Sequence, residues 1–329
     1  MTKVLLRKLG RSNIDISAVG MGCWAIGGPF WTGDKALGWG DVDDEQSVKS
    51  VHRALSLGVT FFDTADVYGA GHSERILAKA LEGQRDKVII ATKFGNVYDE
   101  KTKQLTGNDA SAEYILKACD ASLKRLDTDY IDLYQFHLNG FGPDGAEKVV
   151  EVLEKLVENG KIRYYGWSTD YPERAAIFAK GDHCAAIQCQ LNVLDDNPEL
   201  VALCEKENLA CINRGPLAMG LLTGKYTPDS DFPENDVRGA HSPDWMKYFK
   251  EGRMSPDFFE KVKQIREILT SEGRTLAQGA LAWLWGRSPN TIPIPGFKNI
   301  EQVEENAGAM QFGPLNETQM KEIDKLLAR

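Results

Sequence analysis

Short apolar and β-branched runs recur along the chain, each bounded by turn residues, and stretches with apolar positions three and four apart lie between them. The runs are DISAVGMG (15–22), VTFFDTA (59–65), KVIIATK (87–93), DYIDLYQFH (129–137), IRYYGWS (162–168), AAIQCQLN (185–192), LACINRG (209–215) and TIPIPG (291–296). Segments such as DEQSVKSVHRALSLG, SAEYILKACDASLKRLD, GAEKVVEVLEKLVENG and PELVALCEKEN carry the helical spacing, and several stop at Gly after a polar last turn. Strands that alternate with helices predict a parallel sheet, because consecutive parallel strands need a crossover helix. Eight such units predict an α/β fold of the closed (β/α)8 TIM-barrel type, with residues 1–329 forming a single domain. A six-stranded doubly wound sheet is the alternative, with GMGCWA as a dinucleotide fingerprint. That fingerprint needs a helix to start at its glycines, and Gly27-Gly28-Pro29 would break one there.

Two segments fall outside the repeat. KVLLRKLG and NIDIS flank Arg11-Ser12 and predict an N-terminal β-hairpin able to plug the lower end of a barrel. After strand seven, residues 226–256 carry six prolines and glycines together with Trp245, Tyr248 and Phe249, three aromatics that look exposed. Loops this long in a compact domain are usually functional, so this one is a candidate lid.

The composition, 42% hydrophobic and 26% charged, suits an ordinary globular protein with a sizeable core. A formal net charge of −9 argues against general affinity for nucleic acid or acidic membranes and leaves room only for a local basic pocket. The six cysteines form no CxxC pair, and several lie in apolar runs, as buried thiols do. With no signal-like N-terminus and no run of eighteen apolar residues, a reduced, cytoplasmic protein is expected.

In a parallel barrel the working face is at the C-terminal ends of the strands, and four polar residues fall there: Asp63, Tyr68, Lys93 and His137. Each alone has an ordinary structural explanation, as a cap, a snorkelling amine, a carbonyl-bonded imidazole or a rim aromatic. Together they match one chemical problem. Reducing a carbonyl by hydride requires a proton for the developing alkoxide and a polar environment around the oxygen. Tyr68 can supply the proton, Lys93 can favour its phenolate, Asp63 can hold Lys93 charged and oriented, and His137 can hydrogen-bond the oxygen. The five histidines form no HxH or HxxxH pair, so no metal site is expected.

The segments FFDTADVYG, ATKFG and YQFH resemble the catalytic segments of the aldo-keto reductase superfamily, and the similarity spans nearly the whole chain. It takes in GWS (166–168), the Gln of QCQLN, GPLAMGLLTGKY (215–226) and IPGFKNIEQVEENAGA (294–309), in the family's order, closest to the bacterial branch that resembles potassium-channel β-subunits. The resemblance implies an NADP(H)-dependent reductase of aldehydes or ketones, with Asp63, Tyr68, Lys93 and His137 as its tetrad and Tyr68 as acid. It implies that Ser168 and Gln188 hydrogen-bond the nicotinamide carboxamide and that Trp24 packs beside the ring. Pro216, Leu217, Gly220, Leu222, Gly224 and Lys225 match the segment that folds over the pyrophosphate, and Gly296, Lys298, Gln302, Glu305 and Asn306 match the adenosine site. Lys298 would face the 2′-phosphate and favour NADP(H) over NAD(H). Small carbonyl compounds are the implied partners, with neither nucleic acid, membrane nor partner protein.

The pattern departs in two places. Arg214 stands where many members stack an aromatic on the nicotinamide, and Thr169-Asp170 follows Ser168 where an amide is common. A guanidinium plane can also stack, but as a cation Arg214 is expected to repel oxidised nicotinamide and so to favour NADPH over NADP+. Three other functions compete: an NADP(H)-binding sensor or partner subunit with little catalysis, a metal-dependent barrel hydrolase, and a Schiff-base aldolase using Lys93. The full tetrad, the histidine spacing and the Asp63 partner of Lys93 argue against them in turn. Trp24, Trp31, Trp39 and the Trp245 region are candidates for an apolar substrate wall.

Overall fold

The computed structural model describes residues 4–329; Lys3, which opens the expected hairpin segment, lies outside the described residues with Met1 and Thr2. Eight parallel strands form one sheet: β1 (Met21–Gly22), β2 (Phe61–Asp63), β3 (Ile89–Phe94), β4 (Ile131–Phe136), β5 (Ile162–Ser168), β6 (Cys184–Gln190), β7 (Ala210–Arg214) and β8 (Thr291–Pro293). Each pairs with its sequence neighbours, so the spatial order follows the chain order. The first and last strands also meet, through a parallel bridge from Gly22 to Gly296 and bonds from Gly20 N to the Pro293 carbonyl at 2.9 Å and Gly22 N to the Pro295 carbonyl at 3.0 Å. The sheet therefore curls onto itself, the arrangement of a (β/α)8 barrel.

The connecting helices are α1 (Asp44–Ser56), α2 (His72–Ala80), α3 (Ala112–Leu126), α4 (Pro143–Glu158), α5 (Pro172–Phe178) and α6 (Pro198–Lys206). Four more follow: α7 (Pro256–Thr270), α8 (Leu276–Arg287), α9 (Ile300–Gly308) and α10 (Glu317–Leu326). Side-chain caps start many of them, Asp43 accepting from Gln46 N for α1 and Ser111 from Tyr114 N for α3. α4 shows how spacing fixes the buried face, with Ala146, Val149, Leu153 and Leu156 turned inward at intervals of three and four. α8 has no such stripe, because ten of its residues, Leu276 to Trp285, are buried.

The structure divides the run at 15–22. Asp15–Ser17 pairs antiparallel with Leu6–Lys8, with Leu6 opposite Ser17, and only Met21–Gly22 joins the barrel. The hairpin's Leu9 and Ile16 are fully buried in one cluster with the inward-facing Phe61, Ala91, Leu133, Ala186, Ile212 and Ile292. Gly10 sits so close to the barrel, at φ +50°, that a Cβ would meet the Ala185 carbonyl at 2.2 Å.

A second small sheet was not expected. Trp31–Thr32, Lys35–Ala36, Asn96–Asp99 and Gln104–Asn108 join the loops after β1 and β3 at the C-terminal end of the barrel. The loop over 226–256 also departs from expectation. Trp245 is exposed, but Tyr248 and Phe249 are buried, Phe249 packing edge-on against Tyr226 and Phe232.

Candidate active site

Parallel register brings the polar side chains together. Asp63 closes β2 beside Gly22 and opposite Ala91, and Lys93 in β3 lies level with Gln135 in β4. His137 follows two residues after Gln135, so strand alternation sends both to the same face. Tyr68 arrives from the turn after β2. Gly69 makes that turn feasible at φ +61°, where a Cβ would stand 1.8 Å from the Gly27 carbonyl, and the close approach of the two loops folds Tyr68 back over the strand ends.

Lys93 is fully buried and donates three hydrogen bonds: to Asp63 Oδ1, to the Thr64 carbonyl at 2.7 Å and to the Tyr68 hydroxyl at 3.2 Å. Asp63 Oδ2 accepts from Gln135 Nε2 at 2.9 Å and from Gln188 Nε2 at 2.8 Å. Because the Tyr68 oxygen accepts from Lys93, its own proton points elsewhere, toward the cavity. His137 meets Tyr68 edge to face at 5.9 Å, and its Nδ1 has no partner among the described residues.

Burial pulls the Lys93 ammonium down, but Asp63 and Tyr68 outweigh it and hold Lys93 above its ordinary value. Burial raises the Tyr68 phenol, and Lys93 offsets only part of that rise, so Tyr68 remains a protonated donor rather than a phenolate. Lys93 thus favours the phenolate as expected, but burial outweighs it. Burial, reinforced by Lys93 and Arg214, holds His137 far below its usual range and keeps it neutral.

One cavity of about 1070 Å³ opens over Asp63, Tyr68 and His137 and continues to Lys298 and Asn306. Trp24 stacks on Tyr68 at 5.8 Å and approaches Trp39 and Trp245, giving the cavity an aromatic wall. Trp31 is not part of that wall; it belongs to the small sheet beside it. Ser168 and Gln188 line the floor, and Gln188 has its amide nitrogen on Asp63 and on Gln135 Oε1 at 3.2 Å. Pro216, Leu217, Gly220 and Lys225 line one side, with Gly220 at φ +96°. Leu222 and Gly224 stand outside the lining, Leu222 in the core and Gly224 against Arg266 and Leu276.

At the far end, Gly296 leaves open space, since a Cβ there would meet only the Gly22 carbonyl at 3.9 Å. Gln302, Glu305 and Asn306 line this end, with Asn306 donating to the Gly296 carbonyl at 3.2 Å. Lys298 donates to the Trp39 and Asp41 carbonyls at 2.8 and 2.9 Å, and burial lowers its ammonium below the ordinary value. A long cleft with two lysines and an open glycine at one end and a proton donor at the other fits a phosphorylated dinucleotide.

The two departures in sequence are partners in space. Arg214 pairs through Nη2 with Asp170 Oδ2 and donates from Nη1 to Gln190 Oε1 at 3.1 Å. Gln135, which donates to Asp63, is the neighbour of the cluster that sequence reasoning missed. Its signal is a polar residue two before His137, on the same face of the strand by alternation.

The profile of the Aldo/keto reductase family matches residues 18–328. The chain is 33% identical over 326 residues to the aldo-keto reductase yakc [NADP(+)] of Schizosaccharomyces pombe, covering 96% of this chain and 89% of that one. Among solved structures it is similar to the glycerol dehydrogenase AKR11B4 of Gluconobacter oxydans, with a TM-score of 0.81 and 31% identity over 98% of this chain and 95% of that one. An aldo-keto reductase of Klebsiella pneumoniae in complex with NADPH gives a TM-score of 0.69 and 28% identity over 98% and 96%. The cavity at the strand ends, the tetrad around Lys93 and these similarities agree, and the chain belongs to the aldo/keto reductase family.

Proposed function

We propose that the protein, read as one barrel domain over 1–329, reduces aldehydes or ketones to alcohols with NADPH, and that Tyr68 is the general acid. The observation that carries this reading is the Lys93 ammonium, bridging Asp63 and the Tyr68 hydroxyl beneath a cavity that also holds neutral His137. NADPH, when bound, supplies the hydride. A carbonyl oxygen placed against the Tyr68 hydroxyl and His137 receives its proton from Tyr68 as negative charge develops. Lys93 stabilises the resulting phenolate, and Asp63, held by Gln135 and Gln188, keeps Lys93 charged. A charged lysine is a poor nucleophile, which disfavours Schiff-base chemistry.

Trp24, Ser168 and Gln188 would flank the nicotinamide, Pro216 to Lys225 the pyrophosphate, and Gly296 to Asn306 the adenosine. Lys298 would meet the 2′-phosphate by exchanging its bonds to the Trp39 and Asp41 carbonyls. The cofactor preference is supported by the NADP(+) in the name of the yeast relative and by the NADPH in the Klebsiella complex. The loop over 226–256 acts as the lid in this reading. It bonds across the cavity mouth, Val237 N donating to the Gly38 carbonyl at 2.7 Å and Asp244 Oδ1 accepting from Lys35 Nζ at 2.9 Å. No helix among the described residues is long and apolar enough to cross a membrane, and a cytoplasmic reductase of small carbonyl compounds is the proposed setting.

The test is oxidation of NADPH against a panel of aldehydes and ketones, repeated with NADH and with Lys298→Ala. The expected result is turnover that prefers NADPH, with Lys298→Ala raising KM for NADPH while leaving that for NADH nearly unchanged. Tight NADPH binding without turnover of any carbonyl would instead support a sensor or partner-subunit role.

A further inference from the structure

Arg214 ends β7 with its guanidinium on the cavity wall, close enough for its charge to act on both Tyr68 and His137. A hydride donor has to stand within contact distance of a carbonyl held at Tyr68, so in the NADP(H) reading the nicotinamide would occupy the cavity that Arg214 also lines. An unpaired arginine there would penalise the oxidised ring, which is positively charged, relative to the neutral reduced ring. The arginine is not unpaired. Asp170, two residues beyond β5, meets Nη2, and a set of polar groups fixes that carboxylate in place. Its Oδ1 accepts from Gln190 N at 2.7 Å, its Oδ2 from Asn139 Nδ2 at 3.2 Å, and its own amide donates to Asn139 Oδ1 at 2.9 Å. Gln190 closes the arrangement by accepting from Arg214 Nη1.

We propose that Asp170 is the counter-ion that cancels the Arg214 charge at the nicotinamide, so that the protein binds oxidised and reduced cofactor without the bias a lone arginine would impose. The proposal rests on the NADP(H) reading above. In this arrangement Arg214 offers the ring a flat, hydrogen-bonded surface, and Asp170 is a positioning residue that sets the local charge to zero. The two residues make a matched pair: losing either one leaves a single charge, and losing both restores neutrality.

The experiment is a titration of NADPH, NADP+ and 2′-phospho-ADP-ribose, followed by tryptophan fluorescence, on wild type, Asp170→Asn, Arg214→Gln and the double variant. Asp170→Asn exposes the cation and is expected to raise the ratio of Kd for NADP+ to Kd for NADPH by about tenfold, a screened fraction of the interaction between like charges. Arg214→Gln leaves the anion and lowers the ratio by a similar factor. The double variant returns to within about twofold of wild type. Affinity for 2′-phospho-ADP-ribose, which lacks the nicotinamide, stays constant across the series, separating local electrostatics from damage to the fold. Singles that shift the ratio in the same direction, or leave it unchanged while NADPH still binds, would overturn the proposal. Absence of NADPH binding to wild type would instead overturn the cofactor reading beneath it.

Discussion

Lys93 gives its three ammonium protons to three oxygens, and each bond has a separate consequence. The Thr64 carbonyl fixes its position, Asp63 holds its charge, and Tyr68 is left with its own proton free for the cavity. Lys93→Met would strand the Asp63 carboxylate without its counter-charge. It should lower kcat at least about a hundredfold, and unfolding in denaturant should show a loss of roughly 3–5 kcal/mol. Gln135→Leu takes one donor from Asp63 and should lower kcat about tenfold with NADPH affinity retained, a split that steady-state kinetics and a binding titration resolve. The pH profile follows from the two shifted groups. His137 is held neutral far below its usual range, so the reduction rate should show no inflection near about 6.5. Tyr68 must be protonated to act, and its value is raised, so the rate should fall only above about pH 10. A limb near neutrality that disappears in His137→Gln would contradict this assignment. The meeting of Asp63, Tyr68, Lys93 and His137 was legible in the sequence because strand ends are readable from apolar runs. Gln135 was not, because Asp132 lies in the same strand and a polar residue there does not by itself mark the cavity face; only its alternation with His137 does.

Elements were legible where one periodicity ruled. The run at 162–168 is the strand Ile162–Ser168, and α4 buries the stripe its spacing announces. The run at 15–22 failed because a continuous apolar stretch does not say where the chain turns from one sheet to another, and Ala18 to Gly20 carry it from hairpin to barrel. α8 hides its period because nearly every residue is buried, and the small sheet beside the cavity is built from strands too short to alternate visibly. The hairpin's hold on the barrel makes a test at this scale. A methyl at Gly10 collides with the Ala185 carbonyl and the Ala210 amide, so Gly10→Ala should cost about 1–3 kcal/mol in thermal or denaturant unfolding. The hairpin is remote from the tetrad, so kcat should hold in the folded fraction; a variant as stable as wild type would show that the hairpin is only loosely seated.

Across the whole molecule, the barrel gathers residues from all eight strand ends and the long loop covers them. Arg238 is the pin of that loop: it pairs with Asp236, donates to the Met219 carbonyl at 3.3 Å, and lies over Trp39, Tyr226 and Phe232. Arg238→Ala should loosen the loop, giving faster proteolysis within 226–256 and weaker NADPH binding, and unchanged cleavage would mean the loop is held elsewhere. Sequence alone showed this loop as long and aromatic but not that Tyr248 and Phe249 turn inward while Trp245 stays exposed, because ring partners such as Tyr226 and Phe249 leave no local pattern. The central claim is that a neutral phenol at Tyr68 delivers the proton in carbonyl reduction. It is tested most directly by comparing wild type and Tyr68→Phe for NADPH binding and for NADPH oxidation with an accepted aldehyde. The account predicts unchanged binding and a loss of kcat of about a hundredfold or more; full turnover in Tyr68→Phe would contradict it.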